Sequence, residues 1–463
     1  MNASRVIIAG THSGVGKTTF TLGIILVFKE RGLSVQSYKT GPDYIDPSYH
    51  SYATGRSSRN LDSMLLSRDK ILEFFERCSR KVDISVIEGV MGFFDGVDAY
   101  NEKGSTSHLA KILKAPVILI IDARAMSRSA AAVAYGFSKF ERGLKISAFL
   151  LNKIGSEKHF KMVKESIEKK TKTPVLGYLP QDENLKLPER HLGLVPAWEK
   201  KVIDPYQDRL SKYIEKYVDI KEILKIAQKA PPLPSFKRSV FIKETPFPKV
   251  IIALALDEAF HFYYEDNLDI LKHYGAKIVT FSPLKDKELP LEANGIYIGG
   301  GFPELFAKEL SDNYLLKEDI RKKAKRGMPI YAECGGLMYL VEKISNFKEE
   351  KFAMVGILPG QVNMGKKLSA LGYCNIKLLQ NTILGEKGES IKGHIFHWSY
   401  LTLPSSEKVT FVYEVEKSGR KFYDGISKNN VLASYVHIHF GSKVSCARNF
   451  VNRCFKYSRY KKE

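Results

Sequence analysis

The chain has 463 residues, enough for two or three domains, and its 44% hydrophobic content is that of a globular protein with real cores. Its formal net charge of +21 is spread along the whole length rather than in blocks, which favours a basic soluble surface and an anionic small-molecule ligand over nucleic acid. No apolar stretch has membrane-spanning length, no signal peptide opens the chain, and the five scattered cysteines form no Cys-x-x-Cys pair. A cytoplasmic protein with no membrane partner, no disulfide framework and no zinc site is therefore expected.

An apolar run at 5–9 reads as a buried strand and leads into Gly10-Thr11-His12-Ser13-Gly14-Val15-Gly16-Lys17-Thr18-Thr19. Apolar residues at helical spacing follow over 20–30. Strand, glycine turn and helix start make a phosphate cradle: Gly14 and Gly16 let backbone N–H groups converge on an anion, and the helix dipole adds to the attraction. Lys17 would reach the β- and γ-phosphates, Thr18 would ligate Mg²⁺, and Thr19 completes the ATP-binding loop. The strict phosphate-loop pattern wants glycine where Thr11 stands, one place after Gly10. DNA-partitioning ATPases share the Gly-Val-Gly-Lys-Thr-Thr core but carry an extra lysine where this chain has His12, which weakens that rival.

Strands are predicted at 33–38, 84–87, 116–121, 147–151 and 174–177, with helical stretches between them, the pattern of a doubly wound parallel sheet. A nucleotide site also needs carboxylates to hold its metal. Asp43, Tyr44 and Asp46 lie in the loop after the second strand, Glu88 ends the next predicted strand, and Asp95 follows in Gly92-Phe93-Phe94-Asp95-Gly96. Each acid taken alone is a turn former or strand-end cap. Three at successive strand ends point to metal and substrate work, with Glu88 and Asp46 as metal ligands and Asp43 and Asp95 in substrate or phosphate-transfer roles. Asn152, after the fifth predicted strand, is a candidate for the adenine edge.

A charged helical stretch near 200–230 leads to Pro231-Pro232-Leu233-Pro234-Ser235, then Pro246 and Pro248, the best domain boundary in the sequence. The expected domains are 1–198 for ATP binding, 199–247 for a helical extension and proline-rich linker, and 248–463 for a second α/β domain with strands at 249–255, 277–281, 295–298 and 329–332. The last of these runs into Glu333-Cys334-Gly335-Gly336, which has the form of a nucleophile elbow. A helix N-terminus favours the thiolate form of a cysteine. The N–H groups of Gly335 and of Gly299, Gly300 and Gly301 are candidates for an oxyanion hole, and His437 and His439 are candidate bases. The plain alternative for Cys334, a buried strand-end cysteine, is disfavoured by the flanking glycines.

Taken together these blocks, with Ser58-Arg59-Asn60-Leu61-Asp62, 187–194, Asp257-Glu258-Ala259-Phe260, 262–264 and Gly393-His394-Ile395-Phe396-His397, resemble the cobyrinic acid a,c-diamide synthases over nearly the whole chain. These are glutamine-dependent amidotransferases of cobalamin biosynthesis. The resemblance implies a dethiobiotin synthetase-like phosphate-loop domain joined to a class I glutaminase-like domain, with Cys334 as nucleophile and His437 as general base. It implies ATP and Mg²⁺, L-glutamine, and cobyrinic acid or a related tetrapyrrole-derived ring, held by basic and aromatic groups such as Tyr44, His50 and Arg59. A homodimer is left open. Nickel-sirohydrochlorin a,c-diamide synthase, of coenzyme F430 biosynthesis, is the close alternative; a non-catalytic ATP-binding scaffold is disfavoured by Cys334. Class I glutaminases usually place a glutamate two residues after the histidine, where this chain has His439, so what orients His437 is open. Cys374 and Ile395 also depart from the family pattern, which often has arginine and glutamate there.

Overall fold

The structure is a computed structural model describing residues 3–187, 189–190, 193–194, 200–242, 247–404 and 409–460. The chain divides into two compact units, Met1–Ser239 and Val240–Glu463.

The first unit is built on a seven-stranded sheet: β1 (Arg5–Gly10), β2 (Val35–Thr40), β3 (Arg59–Leu61), β4 (Ile84–Glu88), β5 (Val117–Asp122), β6 (Ile146–Ile154) and β7 (Val175–Pro180), in the order β3-β2-β4-β1-β5-β6-β7. Every pairing is parallel. Strands covered on both faces need continuous apolar runs, and all six residues of β1 are buried. Helices α1 (Lys17–Glu30), α2 (Ile45–Thr54), α3 (Arg68–Ser79), α4 (Thr106–Leu113), α5 (Ser129–Lys139) and α6 (Glu157–Thr171) connect the strands. β3 escaped the sequence reading because only three residues pair. Asn152 lies inside β6, near its end, rather than beyond it.

Helices α7 (Lys200–Tyr217) and α8 (Ile220–Gln228) belong to this unit's core: Leu210, Ile214 and Ile223 are fully buried, and Ile214 packs against α1. That cover explains why α1 is apolar on more than one face. Arg5, also fully buried, donates to Leu113 O at 2.8 Å, Lys114 O at 3.2 Å and Pro231 O at 2.6 Å, tying the proline-rich stretch to the sheet. The proline-rich block's Pro246, and Pro188, His191 and Leu192 of the block at 187–194, lie outside the described residues, as does the expected boundary at 198.

The second unit has a ten-stranded mixed sheet. Its parallel part is β8 (Val250–Ala255), β9 (Ala276–Phe281), β10 (Gly295–Ile298), β11 (Ile330–Glu333) and β16 (Val431–Ser434); its antiparallel part adds β12 (Ala370–Leu378), β13 (Ser390–His397), β14 (Phe411–Lys417), β15 (Arg420–Lys428) and β17 (His437–Ile438). The order is β9-β8-β10-β11-β16-β15-β14-β12-β13-β17. Helices α9 (Glu265–His273), α10 (Tyr314–Lys325), α11 (Gly335–Leu340) and α12 (Ser445–Tyr460) accompany it. The sheet doubles back so that β17 pairs with β13, His394 standing opposite His437.

Candidate functional site

In the first unit, β1, α1, α2 and β4 converge on a cleft of ≈ 630 Å³ lined by Ser13, Gly14, Gly16, Lys17, Thr18, Thr19, Lys39, Asp43, Asp46, Glu88 and Asn152, among others. Gly16 has φ 103 and leaves no room for a side chain, since a Cβ there would lie 2.3 Å from Asn152 Nδ2. Asn152 in turn donates to Val15 O at 2.8 Å, so it braces the phosphate loop as well as lining the cleft. Lys17 reaches back over the loop, donating to His12 O at 3.1 Å and Met91 O at 2.5 Å. Burial, with Lys39 adding to it, lowers its pKa to about 8.

Below the loop the Thr18 hydroxyl lies 2.7 Å from Glu88 Oε1 and 3.3 Å from Asp46 Oδ2. Two carboxylates and a hydroxyl from three elements form an oxygen donor set of the kind Mg²⁺ takes when it shares its shell with phosphates. Among the described residues no cluster of three or more His, Cys, Asp and Glu side chains forms a protein-only metal cage. Lys39, near the end of β2 and given no role by the sequence, is the pivot: its Nζ is 2.8 Å from Glu88 Oε1 and 2.5 Å from Asp46 Oδ2. Burial alone would lower its pKa, but the carboxylates raise it well above normal. Asp46 is pushed well up by burial and by its neighbours Asp43 and Glu88, whereas Lys39 and His50 overcome burial to hold Glu88 below the usual carboxylate range.

The other candidates take varied places. His50 is fully buried with Nε2 2.8 Å from Glu88 Oε2, so it acts on Glu88 rather than on a ring substrate. Asp43 lines the cleft but spends Oδ1 on the Ile45 and Asp46 N–H groups, starting α2. Asp95 accepts from Gly92 N–H at 2.8 Å as a turn former, and neither it nor Tyr44 or Arg59 lines the cleft. Lys153, next to Asn152 and expected with it at the adenine edge, does line it, and so does Arg124, unremarked in the sequence.

In the second unit Cys334 joins β11 to α11 with φ 49 and ψ −103, a strained backbone for a residue with a side chain. Such a turn lifts a nucleophile out of its strand. Cys334 acts electrostatically on His437, whose Cε1 would lie 2.7 Å from a Cβ on Gly300, so only glycine leaves room for the ring. Gly335 abuts Gly301 N and Pro303. Gly299 is not available as an oxyanion donor, because its N–H is spent on the Tyr263 hydroxyl at 2.8 Å. Phe396 O is 3.8 Å from Cys334 Sγ, which gives the Gly393–His397 block a place as a wall of this site.

The sequence offered no acid for His437, yet Glu333 supplies one. Its Oε2 is 3.7 Å from His437 Nδ1. Burial would lower the pKa of His437; contact with Cys334 and with Glu333 outweighs it and raises it to about 10. His439, at the position where class I glutaminases carry the acid, faces Asp266 at 3.9 Å and packs at a tilt against the Tyr264 ring. Cys374 is buried in β12, where burial pushes its thiol up to about 12, and Ile395 is buried in β13; both are core positions.

Residues 6–195 match the family described as the CobQ/CobB/MinD/ParA nucleotide binding domain, and residues 251–444 the CobB/CobQ-like glutamine amidotransferase domain. The chain is 45% identical to the cobyrinate a,c-diamide synthase of Dehalococcoides mccartyi strain CBDB1, over 97% of this chain and 98% of that protein. It is 45% identical to that of Listeria innocua (94% and 96%) and 44% identical to that of Archaeoglobus fulgidus (98% and 98%).

Proposed function

This chain belongs to the cobyrinate a,c-diamide synthase family and is a glutamine-hydrolysing amide ligase, and on that premise we propose that it amidates the a and c side-chain carboxylates of cobyrinic acid with ATP and glutamine. The observation that carries this reading is the pairing, on one chain, of a phosphate cradle over Thr18, Asp46 and Glu88 with a strained Cys334 whose partner His437 is held by Glu333.

In the first unit the loop N–H groups and Lys17 hold the triphosphate of ATP, and Thr18, Asp46 and Glu88 are the residues that would hold Mg²⁺. When bound, that ion neutralises phosphate charge. A ring carboxylate oxygen attacks the γ-phosphorus, ADP leaves, and an acyl phosphate forms. Ammonia then adds to the acyl carbon and phosphate departs, leaving the amide and a proton.

In the second unit His437 takes the thiol proton of Cys334, and the sulfur attacks the glutamine amide carbon. The Gly335 N–H and the Gly300–Gly301 loop would receive the developing oxyanion. His437 returns the proton to the departing nitrogen, ammonia leaves, and water cleaves the thioester to glutamate. Splitting the work suits the chemistry, because a free carboxylate resists attack and ammonia is largely protonated at neutral pH.

The test is to supply purified protein with MgATP, glutamine and either cobyrinic acid or nickel-sirohydrochlorin, and to follow the ring by mass spectrometry. Two successive carboxyl-to-amide conversions of cobyrinic acid are expected. Conversion of nickel-sirohydrochlorin in preference would reassign the substrate, and conversion of neither would overturn the reading.

A further inference from the structure

Resting on the glutaminase reading above, we propose that Glu333 is the positioning residue of the Cys334–His437 pair, supplied by the nucleophile's own strand. It takes the part of the acid that class I glutaminases carry two residues after the histidine.

Glu333 ends β11, immediately before Cys334, and is fully buried. Its Oε1 accepts from the Tyr331 hydroxyl at 2.5 Å and the Ile438 N–H at 2.9 Å; its Oε2 accepts from the Tyr297 hydroxyl at 3.0 Å and faces His437 Nδ1. Burial and Glu333 itself push both phenols well above their normal pKa, so they stay protonated donors. A carboxyl group gripped by donors from three strands cannot turn away from the imidazole. At 3.7 Å the contact to His437 is longer than a hydrogen bond, but it is a charge contact in a dry site, and it gains strength when His437 becomes imidazolium.

The usual position for the acid is closed. His439 Nδ1 accepts from the Gly441 N–H at 3.0 Å, and its Nε2 points to Asp266 on α9. Asn267 clamps the segment, donating to Ile438 O at 2.7 Å and accepting from Phe440 N–H at 2.6 Å. The other titratable groups facing His437 are His394 and His397 of β13. Burial, and more weakly His437 itself, lowers them to about 3 and about 4, so they add no charge at working pH. Glu333 therefore supplies the negative charge that orients the ring and holds the proton taken from Cys334.

A purely structural Glu333, tying β17 to β11, would also harm the protein when replaced, so the test reads the histidine. In Glu333→Gln, with folding checked by circular dichroism, glutaminase kcat should fall by between about 10- and 10⁴-fold with KM little changed. The alkaline limb of the kcat profile should move to lower pH than in the unaltered protein, because the imidazolium loses its counter-charge. Tyr297→Phe removes a hydrogen bond from Oε2 and leaves more charge for His437, so the limb should move up; this isosteric variant carries the test even if Glu333→Gln fails to fold. In a His437→Ala background Glu333→Gln should cost nothing further. An unmoved limb in the folded variants, or fully additive losses, overturns the proposal. Glutamine hydrolysis by Cys334→Ser would be a different failure, that of the glutaminase reading itself.

Discussion

Lys39 Nζ lies 2.8 Å from Glu88 Oε1 while the same carboxylate oxygen sits 2.7 Å from the Thr18 hydroxyl, so one buried ammonium neutralises the donor set beneath the phosphate loop. Its side chain is 4% exposed and that of Glu88 0%. Removing one partner of a buried ion pair leaves the other uncompensated, at a cost of about 3–5 kcal/mol. Lys39→Met should therefore lower the denaturation midpoint of the first unit. Mg²⁺ should restore more stability to Lys39→Met than to the unaltered chain, since a cation would again balance Asp46 and Glu88. A midpoint in Lys39→Met indifferent to Mg²⁺ would remove those acids from the metal site.

Glu88→Gln keeps the volume and the contact to Thr18 but loses the charge. Ring amidation should fall below detection while glutamine hydrolysis by the second unit stays measurable, as separate assays of amide product and glutamate would report. Full amidation activity in Glu88→Gln would rule out its assignment to the metal.

Lys17, brought down to about 8 by burial and by Lys39, should be mostly neutral at pH 9. Phosphates favour its charged form, so nucleotide binding must draw a proton from the buffer. Calorimetry of ATP binding at pH 9 in EDTA, in buffers of differing ionisation enthalpy, should show uptake of about one proton, shrinking toward zero near pH 6. Equal heats in all buffers at pH 9 would contradict the lowered pKa.

The parts of this molecule legible in its sequence are those where one local segment carries the whole signal. β1 and the turn into Lys17 were readable because a strand buried on both faces must be apolar and a phosphate loop must be glycine-rich. β3, with three paired residues, has too little pattern to register, whereas the antiparallel strands of the second unit are marked by the Ser418-Gly419 and Asn429-Asn430 turns, which the sequence reading did not use. Glu333 stands 105 positions before Ile438, whose N–H it accepts, so its relation to His437 exists only once β11 and β17 share a fold. Asp95 and Asp43 show the opposite case: the sequence has a turn acid and a ligand looking alike, and the structure gives both a turn hydrogen bond while Asp43 also lines the cleft.

Gly300 is predicted to tolerate nothing larger. A methyl group there would lie 2.7 Å from His437 Cε1 and 3.3 Å from the Phe262 side chain, so Gly300→Ala should push the imidazole aside. A displacement on the order of 1 Å costs roughly 10²-fold in rate. Glutaminase kcat should drop by about that factor with ammonia-dependent amidation retained; wild-type hydrolysis of glutamine would refute the packing argument.

The two chemistries should also be separable, with ammonia the sole species handed from one to the other. Cys334→Ser keeps nearly the same volume but replaces a thiol by a hydroxyl, a far weaker acid, so no thioester should form and glutamine should cease to supply nitrogen. Nothing in that change touches Lys17, Thr18, Asp46 or Glu88, which belong to the other unit. Ring phosphorylation should persist, and concentrated ammonium chloride at mildly alkaline pH, where more free ammonia exists, should restore diamide formation. His437→Ala should behave the same way. His439→Ala should be milder, because His439 faces Asp266 and Tyr264 rather than the thiol. Continued use of glutamine by Cys334→Ser, or failure of ammonia to rescue the folded variant, would break the two-site mechanism.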